Sequence, residues 1–145
     1  MLAWFAAMAA APADPVNAAT EPNCFDADVS ATIVRQTPTV MPECEDCIIM
    51  RWPWIVDLRV NSVHVGSVGR GLLTVLTLQH AHYRTDLGAR RWLLRRNTLG
   101  SFNVVHHPEG GTLPRCSADA PAATPFIRPA DGETLEGLRR EGEEL

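Results

Sequence analysis

Almost all the strand-forming residues of this chain lie between Ile48 and Val105, and that block limits what the chain can fold into. Within it, Trp54, Val56, Leu58 and Val60 share one parity, while Asp57, Arg59 and Asn61 share the other. Side chains alternate between faces along a strand, so this pattern predicts a half-buried strand. Pro53 marks its start or an edge position, because proline donates nothing to a ladder. Val63 and Val65 continue it after a bulge near Ser62. Leu72 to His82 is apolar on both parities, with Leu72, Leu76 and Leu78 on one and Leu73 and Val75 on the other. That predicts a central strand.

Turn residues divide the block. Gly66 to Gly71 (GSVGRG) lacks both the Gly-Lys-Ser/Thr ending of a phosphate loop and the Gly-x-Gly-x-x-Gly order, so it reads as a hairpin connection. Asp86-Leu87-Gly88-Ala89 is a turn into Arg90–Asn97, where Trp92 and Leu94 face inward. A helix over Asp86–Asn97, aligning Leu87, Arg91 and Leu94, is the competing reading. Ser101–His106 is the last strand, closed by Pro108 and Gly110-Gly111, and Val29–Gln36 is the first. The expected fold is mainly β, a small five-stranded OB-like barrel with a short C-terminal helix, with a β-sandwich as the alternative. The β-domain is expected over 24–116 and a Pro/Ala-rich, acidic tail over 117–145. In that tail Thr134–Arg140 forms the helix, Asp131 and Glu133 suit its positive end, and Glu136 pairs with Arg140.

The ends of the chain point to a compartment. Met1–Ala10 is small and apolar, and Ala11-Pro12-Ala13 supplies an Ala-x-Ala cleavage pattern. Residues 1–13 therefore read as a signal peptide and 14–23 as a flexible leader, so the protein is expected to be exported, periplasmic or secreted. No basic residue precedes the apolar run, which departs from the usual pattern. An apolar run of about 12 residues is too short to span a bilayer that needs roughly 20. Four cysteines in a small exported chain imply two disulfides and allow three pairings. The preferred pairing is Cys24–Cys116 with Cys44–Cys47. A thioredoxin-like role for Cys44 and Cys47 is disfavoured, because Glu43, Glu45 and Asp46 surround them and acids raise a thiol's pKa.

All 13 basic residues are arginine, and the formal net charge is −4. The two signs are segregated along the chain. Ile48–His107 carries eight arginines against Asp57 and Asp86, whereas Pro129–Leu145 carries six acids against Arg139 and Arg140. Such a split fits either an anionic partner for the body or a tail lying on the body. The candidate binding surface comprises Arg84, Arg90, Arg91, Arg95, Arg96 and Trp52, with Arg51, Trp54 and Trp92 nearby in sequence. Guanidinium and indole groups together suit stacking and anion recognition. Export disfavours nucleic acid, which leaves an unknown protein or an anionic envelope component. The bland alternative is that Trp54 and Trp92 fill the core and the arginines solvate the outside.

The sequence carries two further constellations that bear on chemistry. His80 and His82 stand two apart on a predicted strand, so both rings project from one face as metal ligands can, with His64 or His106-His107 as a third. No Gly-x-Ser-x-Gly is present, and only Asp57 and Asp86 offer carboxylates in the β-block. The chain therefore reads as a binding domain rather than an enzyme, with no cofactor expected. Metal binding through His80/His82 or thiol redox through Cys44/Cys47 is the alternative.

Cys24, then Ile33-Val34-Arg35, then Val60-x-x-Val63-x-x-Gly66 follow the cadence of the netrin-like OB modules of secreted proteins, which this chain resembles over roughly half its length. The resemblance implies a closed β-barrel and export. In metalloproteinase inhibitors of that group the free amine of an N-terminal cysteine binds the target's metal. Here cleavage after Ala13 leaves ten residues ahead of Cys24, so that mechanism does not carry over.

Overall fold

The computed structural model of the chain describes residues 22–41, 43–46 and 48–145. The expected signal peptide and all but the last two residues of the expected leader lie outside them. Among the described residues the strands are β1 (Ala27–Pro38), β2 (Trp52–Val65), β3 (Gly71–Gln79), β4 (Arg90–Arg96) and β5 (Phe102–Val105), followed by helix α1 (Leu135–Glu143). They form a closed barrel in the order β1-β2-β3-β5-β4, with β4 returning to β1. Neighbours run antiparallel except β3 and β5, which are parallel at Val75–Phe102 and Leu76–Asn103. Neither the β-sandwich nor the helix over 86–97 forms. Closure pairs both edges of every strand, so none of the five is left as an open edge.

The long strands β1 and β2 bend to make this possible. Their ladder shifts register at Asp28/Val29, Ser30/Ala31 and Ile33/Arg35. Each extra residue bends and twists the pair more strongly than a regular ladder would. One shift skips Asn61, beside the bulge expected near Ser62, and it lets Val63 join Val60 against the core. Inside the barrel, Val29, Ala31 and Ile33 meet Trp54, Val56, Leu58, Val75, Trp92, Leu94 and Val104. Cys24 is bonded to Cys116 across 92 residues, tying the entry to β1 to the segment after β5. Cys44 is also disulfide-bonded, and its expected partner Cys47 lies outside the described residues.

The outer face of β2 departs from the sequence reading. Asp57, expected with Arg59 and Asn61 on the outer face, is buried, as are Ile55 of the same parity and Leu76 opposite Ile55 on β3. The chain after Cys116 lies over this side. Ala123 N donates to Arg96 O at 2.8 Å, and Thr98 N donates to Ala123 O at 3.0 Å. Farther on, α1 docks against β1, and Gly142 sits so close that an added Cβ would lie 1.9 Å from Pro38 O. The 117–145 segment is therefore an outer layer of the barrel.

One ion pair fixes the helix there. Arg139 grips Asp57 with both terminal nitrogens, at 2.5 and 2.9 Å, while Arg35 Nε (2.9 Å) and Thr74 Oγ1 (2.7 Å) donate to the same carboxylate. The tail does lie on the body, but the contact with the expected charge order, Glu143 to Arg35, is at the solvent edge. At the buried centre the tail supplies the cation and the barrel the acid. Glu136 pairs with Arg139 at 3.1 Å rather than with Arg140. Burial alone would raise the pKa of Asp57, and the hydrogen bonds from Arg139, Thr74 and Arg35 more than offset it, leaving the carboxyl below its ordinary value.

Two predictions follow from these anchors. Arg139→Ala strands a buried carboxylate and is expected to cost about 3 kcal/mol in urea unfolding, whereas Arg35→Ala, at a 46 % exposed side chain, costs less than about 1. Because the folded pKa of Asp57 is depressed, its contribution is present above the ordinary aspartate value of about 3.9 and fades as pH falls toward the folded one. Asp57→Asn should therefore flatten the acid limb of the stability curve. Separately, Cys24→Ser with Cys116→Ser reopens a long loop in the unfolded chain and should lower stability by about 4 kcal/mol.

A candidate anion-binding cavity at one end of the barrel

The alternating strand directions bring the ends of β1, β3 and β5 and the starts of β2 and β4 to one end of the barrel. The β3–β4 connection folds over that end and is held by Gln36 of β1. Tyr83 N donates to Gln36 Oε1 at 2.6 Å, and Gln36 Nε2 donates to Tyr83 O at 3.0 Å. This clamp sets the Tyr83 ring edge-on to Trp92, with centroids 5.3 Å apart. The Trp92 indole is fixed in turn by donating to Ala31 O at 3.1 Å.

Arg90, the first residue of β4, packs its guanidinium against both rings. Its guanidinium carbon lies 4.2 Å from the centroid of Tyr83 and 4.2 Å from that of Trp92. Arginine suits this position because its planar cation stacks on aromatic faces and is weakly hydrated. Arg90 Nη2 is buried with no hydrogen-bond partner among the described residues, and no carboxylate there forms an ion pair with Arg90. Desolvation lowers its pKa, while burial pushes the Tyr83 hydroxyl up.

A cavity of about 580 Å³ runs from Arg90 along β4 and β5 beneath the 106–113 segment. Phe25, Trp92, Leu93, Val104, Val105 and Leu113 give it largely apolar walls. His106 and His107 border it, and Leu113 N donates to His107 Nδ1 at 3.2 Å, drawing the segment into a loop. His106 keeps an exposed surface, yet surrounding protein and the Arg51 and Arg90 cations hold its pKa below the ordinary histidine value. The one carboxylate in the lining, Asp28, is engaged by Arg91.

The arginines expected to act as one surface are therefore divided. Arg91 pairs with Asp28. Arg95, expected on an outer face, is buried, reaching Asp26 at 2.7 Å and the carbonyl of Pro121. Arg84 is exposed and pairs with Asp86 at 2.7 Å. Arg96 keeps an exposed side chain, while its backbone N donates to Asp26. Of these arginines only Arg90 and Arg91 line the cavity, and Arg90 has no hydrogen-bond or ion-pair partner for its side chain among the described residues. Trp54 and Trp92 fill the core, and half-buried Trp52 leans on Trp54.

The histidine pair also departs from its expected setting. β3 ends at Gln79, so His80 and His82 lie beyond the strand, edge-on to Trp52 (6.1 Å) and Trp54 (4.7 Å) respectively. His64 bonds to the Ser30 hydroxyl at 2.7 Å. Among the described residues no group of three or more His, Cys, Asp or Glu is arranged to hold a metal ion. Nor is any helix there long and apolar enough to cross a membrane.

Tyr83 was absent from the sequence reading, although it is the only tyrosine of the chain. It lies in a connection, where no periodicity marks a residue as inward-facing. Comparison with protein-family models, curated proteins and solved structures finds no match for this chain.

Because Gln36 supplies both hydrogen bonds that seat Tyr83, Gln36→Ala should cost about 2 kcal/mol at roughly 1 per bond. Amide hydrogen exchange across 80–89 should accelerate, with β2 exchange little changed.

Proposed function

We propose that this chain is an exported, non-enzymatic binding domain that takes up an anionic group at Arg90. The observation that carries the reading is a partly desolvated guanidinium packed against two rings, with a buried nitrogen that has no partner among the described residues. Arg90 is half-buried with no counter-charge among the described residues, so its cation is less well solvated than in water and an anion arriving there restores part of the lost stabilisation. Charge-assisted hydrogen bonds to a pre-oriented guanidinium are also stronger than neutral ones. Among the described residues the one carboxylate lining the cavity, Asp28, is engaged by Arg91, so His106 and His107 have no free carboxylate beside them to work with as an acid–base pair, which favours binding over catalysis.

The disulfide supports an oxidising compartment, so the anion's source is a component of the cell envelope or its surroundings. The strand order supports an OB-like reading, in line with the netrin-like resemblance.

Titration with acetate, phosphate or sulfate at low ionic strength, followed by the Trp92 indole N–H resonance, tests the site. A saturable shift is expected with at least one anion, weakening as salt rises and lost in Arg90→Gln. No saturable shift with any of the three overturns the reading. Export is checked separately by sequencing the N-terminus of exported material, expected to begin at Asp14.

A further inference from the structure

We infer that the group taken up at Arg90 is the carboxylate of an amphiphilic organic acid, whose apolar body lies in the cavity beside β4 and β5. This rests on the anion reading above and adds the ligand's chemistry.

The first argument is the shape of the receptor. With the Tyr83 and Trp92 centroids each 4.2 Å from the guanidinium carbon and 5.3 Å from each other, both rings lie to one side of Arg90 and leave an edge on the other side for the cavity that Arg90 lines. Nη2 is buried and has no hydrogen-bond partner among the described residues. A carboxylate is planar and presents two oxygens in the same plane, so it meets such an edge with parallel hydrogen bonds.

Charge supplies the second argument. A polyanion such as a sulfated glycan or a phosphorylated lipid headgroup needs several free cations converging on one place. Here Arg91 is paired with Asp28, Arg84 with Asp86 and Arg95 with Asp26. Arg90 is the one guanidinium in the lining without an ion pair among the described residues, and Arg51, the other cation near His106 and Tyr83, lies outside the lining, so the cavity itself matches one negative charge.

The cavity itself gives the third. Its walls beyond Arg90 come mostly from Phe25, Leu93, Val104, Val105 and Leu113. At about 580 Å³ it falls within the roughly 300–1,000 Å³ typical of small-molecule sites. A bare inorganic anion would leave most of that apolar surface unused, whereas an alkyl or aryl body covers it.

Dodecanoate below its micellar concentration is the probe, titrated calorimetrically into the oxidised full chain beside acetate, inorganic phosphate and dodecanol. One site is expected. Each methylene buried should tighten binding roughly fourfold, so dodecanoate should exceed acetate by more than about a hundredfold. Loss of a charge-assisted bond corresponds to about ten- to a hundredfold, so dodecanol, and dodecanoate on Arg90→Gln, should bind weaker by that factor. Thr112→Trp, which adds bulk at an exposed wall position and leaves the Arg90 stack intact, should reduce dodecanoate binding while thermal unfolding stays as in the parent. It keeps the test decisive if Arg90→Gln fails to fold.

Acetate or phosphate binding as tightly as dodecanoate overturns the amphiphile inference and leaves the anion reading standing. Dodecanol matching dodecanoate, with Arg90→Gln indifferent to both, makes Arg90 a structural plug and overturns both readings. No binding of any probe does the same.

Discussion

Everything in this protein depends on β1 pairing along both of its edges. Asp28–Pro38 runs beside β2, and Ala27–Ala31 runs beside β4, so one strand closes the barrel. A flat strand cannot do this, and the register shifts between β1 and β2 supply the coiling. Closure then separates two environments. The inside takes Trp54, Trp92 and the aliphatic rows, while the outside needs a second covering wherever it carries apolar residues. The C-terminal segment returns to that outside, accepting from Asn103 of β5 at Thr124 O and locked by the buried contact of Arg139 with Asp57 of β2.

Arg139 and Arg90 show how far surroundings decide what an arginine does. Arg139 is buried and Arg90 half-buried, so both give up hydration on folding. Arg139 nevertheless meets a carboxylate that also accepts from Arg35 and Thr74, so its charge is compensated within the fold. Arg90 has only the faces of Tyr83 and Trp92, which stabilise a cation without neutralising it. The first geometry is that of a clasp and the second that of a receptor. Residues such as Arg84 and Arg96 remain at the solvent edge, where screening keeps electrostatic contributions small.

Much of the fold was legible in the sequence because barrel interiors impose a period of two. The alternation from Trp54 to Val60 gave the inner face of β2, and Trp92 with Leu94 gave that of β4. Cys24–Cys116 was the preferred pairing in a chain of four cysteines and is the bond formed. Thr134 caps α1, which runs three residues beyond the expected Arg140 to Glu143. The arginine surface was less legible. One-dimensional charge counting placed Arg90, Arg91, Arg95 and Arg96 together, yet strand alternation and acids brought from β1 and the segment before it give each a different setting.

By itself, then, the sequence determined the β-class, the strands facing the core, the Cys24–Cys116 bond preferred among the possible pairings, and the C-terminal helix. These follow from local periodicity, turn chemistry and cysteine count, all of which act over short stretches or small numbers of alternatives. Only the tertiary structure decided that Asp57 is buried beneath Arg139, that His80 and His82 pack on separate indoles, and that Arg90 stands unpaired at the head of an apolar cavity. Each of these depends on which distant residue arrives opposite. That is set by barrel closure and by the return of the C-terminal segment, and no local pattern encodes it.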